Sequence, residues 1–190
     1  MDNGGRLFRE IIGMTQKKKL IIFTDIGDTI IDESTEIRNS EDVVQRAECI
    51  PGARETCLRL HEKGYRIAMV ADGRDASFRN TMRQHGLTSV FEAWIISENV
   101  GAEKPDAAMF RSAMESMGLQ EEVKARILMV GNNVKRDIRG GNRFGIRTVL
   151  LDWSARRSFE PEIPEDIPVY RIHRPAELED LLDKLEVEQP

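Results

Sequence analysis

Residues 20–30 read LIIFTDIGDTI. The run LIIFT (20–24) is a continuous apolar stretch of the kind found in a central parallel strand that is covered on both faces. Asp25 follows the run directly, and Gly27 and Asp28 then indicate a turn. This stretch therefore predicts a buried strand with a carboxylate at its carboxyl end.

The rest of the chain alternates in the same way between apolar strands and helical patterns. Further strands are predicted at 66–71, 91–97, 126–131, 146–152 and, more briefly, 169–172. Helices are predicted at 51–63, 76–85, 105–117, 135–144 and 175–185, with Pro105 in the first turn of its helix. This order predicts an α/β fold: a Rossmann-like three-layer α/β/α sandwich with a central parallel sheet and right-handed crossovers.

The length of 190 residues suits one domain with a single core. Residues 1–16 contain three glycines and no long periodic pattern, so we expect a loose or disordered N-terminal extension there. Residues 17–190 are predicted to form the single domain. The loops at 30–50 and 153–168 carry many charges, among them Arg156 and Arg157, which we interpret mainly as solvated surface.

The composition argues against several classes of protein. The net charge is −5 and the basic residues are scattered, so nucleic-acid binding is not expected. No apolar run approaches the ~20 residues of a bilayer span, and no secretory signal is recognisable, so we expect no membrane association and a cytoplasmic location. The two cysteines, Cys49 and Cys57, are interpreted as ordinary thiols.

Polar residues stand at the ends of several predicted strands. They are Asp25, the segment Ala71-Asp72-Gly73, the segment Gly131-Asn132-Asn133 with Asp137 shortly after, and Lys104 before the helix at Pro105. Because the carboxyl ends of parallel strands meet at one edge of a sheet, these residues are predicted to line one crevice. Three of these residues also have a structural explanation that involves no function: a turn for Asp25, a surface side chain for Lys104, and a helix ion pair for Asp137.

The combination of these groups has a chemical rationale. Mg²⁺ prefers hard oxygen ligands and keeps several waters, so two carboxylates and a carbonyl suffice to hold it. A carboxylate beside the cation can attack phosphorus and divide a difficult displacement into two easier steps. The metal and an ammonium group would offset the charge of the phosphoryl oxygens.

Four segments together resemble the motifs of the haloacid dehalogenase superfamily. LIIFTDIGDTI resembles the first motif, MVADGR (69–74) stands in the place of the second, GAEKPDAAMF (101–110) resembles the third, and ILMVGNNVKRDIRGGNRFGI (127–146) resembles the fourth. The resemblance covers about residues 20–152 and implies that residues 17–190 form a hydrolase domain of this type.

The resemblance also implies roles for particular residues. Asp25 is the implied nucleophile and a metal ligand, and Lys104 is the implied catalytic and phosphate-binding lysine. Mg²⁺ is the implied cofactor, and its implied ligands are Asp25, Gly27 through its carbonyl, Asn132 and Asp137. The implied phosphate-binding segment consists of Ala71, Asp72 and Gly73, together with Lys104.

Three positions depart from the family pattern. Gly27 stands where phosphatases of this family carry an aspartate that acts as general acid and then base, and its loss is expected to cost ~10²–10⁴-fold in rate. Asp28 is one residue away and is a candidate substitute, although neighbouring side chains leave an extended segment in opposite directions. Ala71 replaces a phosphate-binding hydroxyl and leaves backbone donors, and Asn132 replaces a carboxylate but keeps an oxygen ligand.

The leading hypothesis is a Mg²⁺-dependent phosphatase that forms an aspartyl-phosphate on Asp25. The alternative is a catalytically impaired member of the fold with a binding or regulatory role, which the missing groups at positions 27 and 71 support. Carbon–halogen hydrolysis is a third hypothesis, disfavoured because members with that activity do without the metal.

The gaps between the motifs also bear on the substrate. Members of the superfamily often carry a cap domain after the first or second motif, but the gaps 29–51 and 73–104 are too short for a domain with its own core. We therefore expect no substantial cap. An open crevice would admit a phosphorylated substrate of large size, or be closed by a second copy of the chain in a homo-oligomer.

Overall fold

The computed structural model describes residues 19–154 and 156–188, so the predicted extension at 1–16 lies outside the described residues. The central element is a sheet of six parallel strands. In chain order the strands are β1 (Ile21–Thr24), β4 (Arg66–Ala71), β5 (Ala93–Ile96), β6 (Ile127–Gly131), β7 (Arg147–Leu151) and β8 (Tyr170–Ile172). Their order across the sheet is β5-β4-β1-β6-β7-β8, which places β1 between β4 and β6.

Helices cover both faces of this sheet. They are α1 (Ala53–Glu62), α2 (Asp75–His85), α3 (Ser97–Val100), α4 (Ala107–Ser116), α5 (Arg139–Phe144) and α6 (Glu177–Glu188). Alternate residues of β1 enter different halves of the core: Ile22 packs with the cluster that includes Leu60 and Leu182, whereas Phe23 packs with Phe110 on the opposite face. The predicted three-layer α/β/α sandwich is therefore confirmed, and its continuous apolar strands are explained by burial on two sides.

Two boundaries near the site differ from the prediction. The helix placed at Pro105 begins at Ala107, because the Asp106 side chain accepts the Ala108 N–H (2.8 Å) and caps the helix there. Pro105 lies in the preceding turn and follows a cis peptide bond. The predicted strand 91–97 ends at Ile96, and α3 begins at the next residue, Ser97.

The helix predicted at 135–144 has two parts. It opens with a π-helical turn at Val134–Ile138 and continues as α5. The Asn133 side chain accepts the N–H groups of Lys135 and Arg136 at the start of this turn. A π turn widens the helix locally, and here it sets the position of Asp137 at the end of β6.

The loop at 30–50 contains a small hairpin that the sequence analysis did not predict. Its strands are β2 (Ile37–Arg38) and β3 (Val44–Arg46), which pair antiparallel. The hairpin rests on α2: Ser77 Oγ accepts the Val44 N–H (3.0 Å), and Asn80 donates to the Val44 carbonyl (2.9 Å). Two strands of this length have no core of their own, so the hairpin is an appendage of the main domain.

Within residues 19–154 and 156–188, none of the helices has the length and apolar character needed to cross a membrane.

Candidate active site

The carboxyl ends of β1, β4 and β6 meet at a pocket of about 200 Å³, called here the central pocket. The predicted site residues in its wall are Asp25, Gly27, Asp72, Gly73, Lys104, Asn132 and Asp137. The Asp25 N–H donates to the Val130 carbonyl (2.9 Å), so the end of β1 is fastened to β6. Seven of the eight predicted site residues, including all of the predicted metal ligands, thus line one cavity although they come from remote segments.

The Lys104 ammonium lies between two carboxylates. Its Nζ is 2.7 Å from Asp25 Oδ1 and 2.7 Å from Asp137 Oδ1. It also donates to the Val70 carbonyl at 2.7 Å, and the residue is only 3% exposed. One positive charge therefore contacts two carboxylates, and the cluster of Lys104, Asp25 and Asp137 carries an excess of negative charge.

Burial and charge act in opposite directions on these groups. Burial by itself would lower the pKa of Lys104, but the charges of Asp137 and Asp25 outweigh it and hold that pKa above its usual value, so the ammonium stays charged. Burial raises the pKa of Asp137 to about 6 against the attraction of Lys104, and the nearby charge of Asp25 adds to the rise. A further cation at the central pocket would relieve this excess of negative charge.

The backbone around Asp137 holds its carboxylate in place. Asp137 Oδ2 accepts the Asn133 N–H at 2.9 Å. A Cβ on Gly131 would lie 2.2 Å from the same oxygen, so the close approach of the carboxylate to the strand end requires glycine at that position. From the sequence, Gly131 is recognisable only as a strand end, because this role depends on a contact that spacing does not reveal.

The predicted metal ligands fit a hard divalent cation. Asp25, Asn132 and Asp137 offer oxygen atoms in one cavity, and Asp137 Oδ1 touches the Lys104 ammonium but accepts no hydrogen bond of normal geometry. Across residues 19–154 and 156–188 no group of three or more His, Cys, Asp and Glu side chains is placed to hold a metal ion, so a cation in this pocket would depend on fewer side chains, backbone carbonyls and water. Two carboxylates supplemented by carbonyl oxygens and water suit Mg²⁺.

The predicted phosphate-binding segment is only partly at the central pocket. Ala71 is fully buried at the end of β4 and is not among the residues that line the pocket. Asp72 lines the wall, but its carboxylate accepts a hydrogen bond from the backbone N–H of Lys104 (2.9 Å) and pairs with Arg136 (3.1 Å). The Gly73 N–H already donates to Ser97 Oγ (2.9 Å).

Asp28 does not replace the missing carboxyl at position 27. Its φ of +51° is in the left-handed region and turns its side chain away from the central pocket into a buried position. There Asp28 Oδ1 pairs with Arg156 and accepts the Glu33 N–H (3.1 Å), while the Asp28 carbonyl accepts the Trp153 indole N–H (3.0 Å). Asp28 and Arg156 thus join the turn after β1 to the loop after β7, so Arg156 is exposed, as expected, but also pairs with a buried carboxylate.

Glu33 is a pocket residue that the sequence analysis missed. A Cβ built on Gly27 would lie 2.0 Å from Glu33 Oε1, so the Glu33 carboxylate already occupies the space of a side chain at position 27. Glu33 pairs at 3.5 Å with Arg157, which also lines the central pocket. Burial raises the pKa of Glu33, Arg157 opposes the rise, and the charge of Asp25 adds to it.

Comparison with known proteins identifies the class of hydrolase to which this fold belongs. The sequence pattern of the haloacid dehalogenase-like hydrolases matches residues 6–151, and the chain belongs to that family. A glyceraldehyde 3-phosphate phosphatase of Methanopyrus kandleri is 31% identical over 135 residues, which are 71% of this chain and 57% of that protein. A pyrimidine 5′-nucleotidase of Escherichia coli is 33% identical over 136 residues, with coverage of 71% and 57%.

Solved structures of the same family confirm the fold. A HAD-hydrolase from Bacillus subtilis bound to magnesium superposes with a TM-score of 0.70 at 19% identity, covering 88% of this chain and 100% of that one. The L-2-haloacid dehalogenase of Xanthobacter autotrophicus superposes with a TM-score of 0.68 at 13% identity, covering 87% and 99%. The chain spans about half the length of the curated relatives that it matches.

Proposed function

We propose that this protein is a Mg²⁺-dependent phosphoric monoester hydrolase whose nucleophile is Asp25. The observation that carries the proposal is the Lys104 ammonium, which lies 2.7 Å from both Asp25 and Asp137 in the central pocket. A buried cation with two carboxylates at the carboxyl edge of a parallel sheet supplies a nucleophile, a charge to meet phosphoryl oxygens and a site for a metal. The relatives named as phosphatases and as a nucleotidase support this class of substrate.

Each residue of the central pocket named here has a distinct role in the proposed reaction. Asp25 would attack phosphorus with its carboxylate and carry the phosphoryl group as an aspartyl-phosphate. Lys104 would orient that carboxylate and attract a phosphoryl oxygen. Asp25, the Gly27 carbonyl, Asn132 and Asp137 would hold the metal. When bound, Mg²⁺ would offset the negative charge of the phosphoryl group.

A generic aryl phosphate tests this proposal. We expect p-nitrophenyl phosphate to be hydrolysed by the wild-type chain in Mg²⁺, and not after chelation. The Asp25→Asn variant removes the nucleophile while nearly keeping its shape, and its rate is expected to fall by at least ~10³-fold. Chloride release from a 2-haloacid without Mg²⁺ would instead assign the protein to the dehalogenases.

The alternative is a protein that has this fold but does not hydrolyse phosphate esters. The absence of a carboxyl group on residue 27 and the engagement of the Gly73 N–H by Ser97 favour a catalytically impaired protein that binds or regulates. Such a protein would leave a broad panel of phosphate esters untouched in Mg²⁺. Isothermal titration with Mg²⁺ and with inorganic phosphate would then show whether the central pocket binds either ligand.

A further inference from the structure

We propose that Glu33 is the proton donor and acceptor of this site, supplying from another turn the carboxyl group that Gly27 lacks. The inference rests on the proposed phosphatase function. It also assigns a role to Gly27 beyond its carbonyl, because a glycine there leaves the space that the Glu33 carboxylate fills: a Cβ on Gly27 would be 2.0 Å from Glu33 Oε1.

The local structure brings Glu33 back towards the nucleophile. Glu33 begins a 3₁₀ turn (Glu33–Thr35) that Asp32 caps by accepting the Ser34 N–H at 2.9 Å. The Glu33 N–H donates to Asp28 Oδ1 at 3.1 Å, which fastens the turn to the segment that follows Asp25. Two local hydrogen bonds therefore fix the backbone of the turn from which the Glu33 side chain extends.

The other carboxylates of the central pocket have closer partners. Six carboxylates line its wall in the described residues: Asp25, Glu33, Glu36, Asp42, Asp72 and Asp137. Asp25 and Asp137 contact Lys104, Asp72 accepts the Lys104 N–H and pairs with Arg136, and Glu36 and Asp42 both pair with Arg38. Glu33 has the 3.5 Å contact to Arg157, which is longer than a charge-assisted hydrogen bond.

The proposed chemistry balances in two steps. Asp25 attacks phosphorus, the bond from phosphorus to the ester oxygen breaks, and that oxygen takes the proton of the Glu33 carboxyl as the alcohol leaves. The Glu33 carboxylate then accepts a proton from water while the water oxygen attacks phosphorus. The bond from phosphorus to Asp25 breaks, so that orthophosphate leaves and both residues return to their starting state.

The dependence on the leaving group tests the first step. An alkyl alcohol must receive a proton as it leaves, whereas dinitrophenolate leaves without one. Glu33→Gln is therefore expected to lower kcat/KM for an alkyl phosphate by ~10²–10⁴-fold and kcat/KM for 2,4-dinitrophenyl phosphate by less than ~10-fold. Glu41→Gln removes an exposed carboxylate from the same loop, outside the pocket wall, and is the control, with neither value expected to change.

The second step has a readout of its own. Without an acceptor for the proton of water, the Glu33→Gln variant is expected to stop after the first step with 2,4-dinitrophenyl phosphate. It would then release a burst of dinitrophenolate and remain phosphorylated on Asp25, which intact-mass spectrometry detects. A variant with merely disturbed packing would show no such accumulation.

A rescue experiment tests the position of the carboxyl group. Glu33→Ala empties the space, and adding Gly27→Asp returns a carboxyl group to it. This double variant is expected to regain at least ~10-fold in kcat/KM for the alkyl phosphate over Glu33→Ala alone. The matched control is Glu33→Ala with Gly27→Asn, which has nearly the same shape and no carboxyl, and it should regain nothing.

The outcomes separate the two proposals. If no Asp25-dependent hydrolysis of either ester is found, the phosphatase function fails and this inference fails with it. If wild-type hydrolysis depends on Asp25 but Glu33→Gln slows both esters equally or neither, the inference is overturned and the phosphatase function stands. Thermal unfolding of each variant establishes that the comparison is made between folded proteins.

Discussion

Lys104 is the residue on which the electrostatics of the site depend. Its buried ammonium contacts Asp25 and Asp137, and the charges of both stabilise its protonated form. A buried ion pair is costly to break, because the charge that remains is buried without a partner and is poorly solvated by the protein interior. The arrangement therefore serves the fold as well as the proposed reaction.

Replacing Lys104 with methionine should reveal this double role. Without the ammonium, Asp25 and Asp137 repel each other in the pocket, and we expect the free energy of unfolding to fall by about 3 kcal/mol in metal-free buffer. Part of the loss should return when Mg²⁺ offsets the two carboxylates. Urea unfolding with and without Mg²⁺ measures both effects.

Lys135→Met is the control for Lys104→Met. The Lys135 side chain is 57% exposed and pairs with Glu162, so its loss should change stability little. A Lys104→Met variant that is as stable as the wild type in both buffers would contradict the structure of the ion cluster.

Gly131→Ala tests the contact that places Asp137. The added methyl would lie 2.2 Å from Asp137 Oδ2 and must displace the carboxylate. We expect stability to fall by about 1–3 kcal/mol through overpacking, and Mg²⁺ affinity to fall by at least ~10-fold. Gly131→Ala and Asp137→Asn would both weaken Mg²⁺ binding through the Asp137 carboxylate. The double variant should therefore bind Mg²⁺ only slightly more weakly than Gly131→Ala alone in isothermal titration. Unchanged Mg²⁺ affinity in Gly131→Ala would argue against Asp137 as a ligand.

At the scale of elements, the hairpin of β2 and β3 is held on α2 by side chains. Ser77 and Asn80 bind the N–H and carbonyl groups of Val44, and Gln84 accepts the Ala47 N–H at 3.1 Å. Val44 is itself buried. The hairpin thus forms one wall of the central pocket without belonging to the main sheet.

Asn80→Ala should loosen this hairpin and leave the sheet unchanged. Losing one hydrogen bond of about 1 kcal/mol predicts roughly fivefold faster amide exchange at residues 44–47. Hydrogen–deuterium exchange with mass spectrometry measures this, with β4 as the internal reference. Gln45→Ala removes an exposed side chain from the same hairpin and should have no comparable effect. Equal acceleration in both variants would show that the contact with α2 is not what holds the hairpin.

At the scale of the whole molecule, a buried ion pair joins α5 to the segment that follows β7. Asp166 is fully buried and accepts two hydrogen bonds from Arg139, at 2.8 and 3.0 Å. The Arg139 guanidinium and the N–H groups of residues 162 and 163 lower the pKa of Asp166 to about 2. One ionised carboxylate therefore contributes to the packing of this peripheral loop, together with the Asn142 amide, which donates to the carbonyls of Glu165 and Ile167.

The pH dependence of this ion pair follows from the sign of the shift. A carboxyl whose pKa is lower in the folded state binds its proton more readily when unfolded, so its contribution is complete above about pH 5 and is lost as the pH falls towards 2. We expect Asp166→Asn to be about 2 kcal/mol less stable than the wild type at pH 7, and the difference to shrink between pH 5 and 2.

Urea unfolding across this pH range measures the difference. Glu165→Gln, at the exposed neighbouring position, is the control. A difference between Asp166→Asn and the wild type that stayed constant down to pH 2 would contradict the lowered pKa of Asp166.

Much of the fold and part of the site follow from the sequence. The strand and helix order could be predicted because apolar periodicity is a local property, and the sheet then brings Asp25, Lys104 and Asp137 to one edge by topology alone. The hairpin of β2 and β3 could not be predicted, because side chains of α2 hold it in place. The π turn at Val134–Ile138 could not be predicted either, because apolar periodicity indicates a helix without distinguishing a π turn within it.

The occupant of the space beside Gly27 required the three-dimensional structure. From the sequence, Asp28 is the natural substitute for a missing aspartate, being the nearest carboxylate in the chain. The left-handed backbone at Asp28 turns that side chain to Arg156 instead, while a 3₁₀ turn brings Glu33 to the vacant space. Residue types and spacing specify which groups are present, but the direction of a side chain depends on dihedral angles and on partners that lie far along the chain.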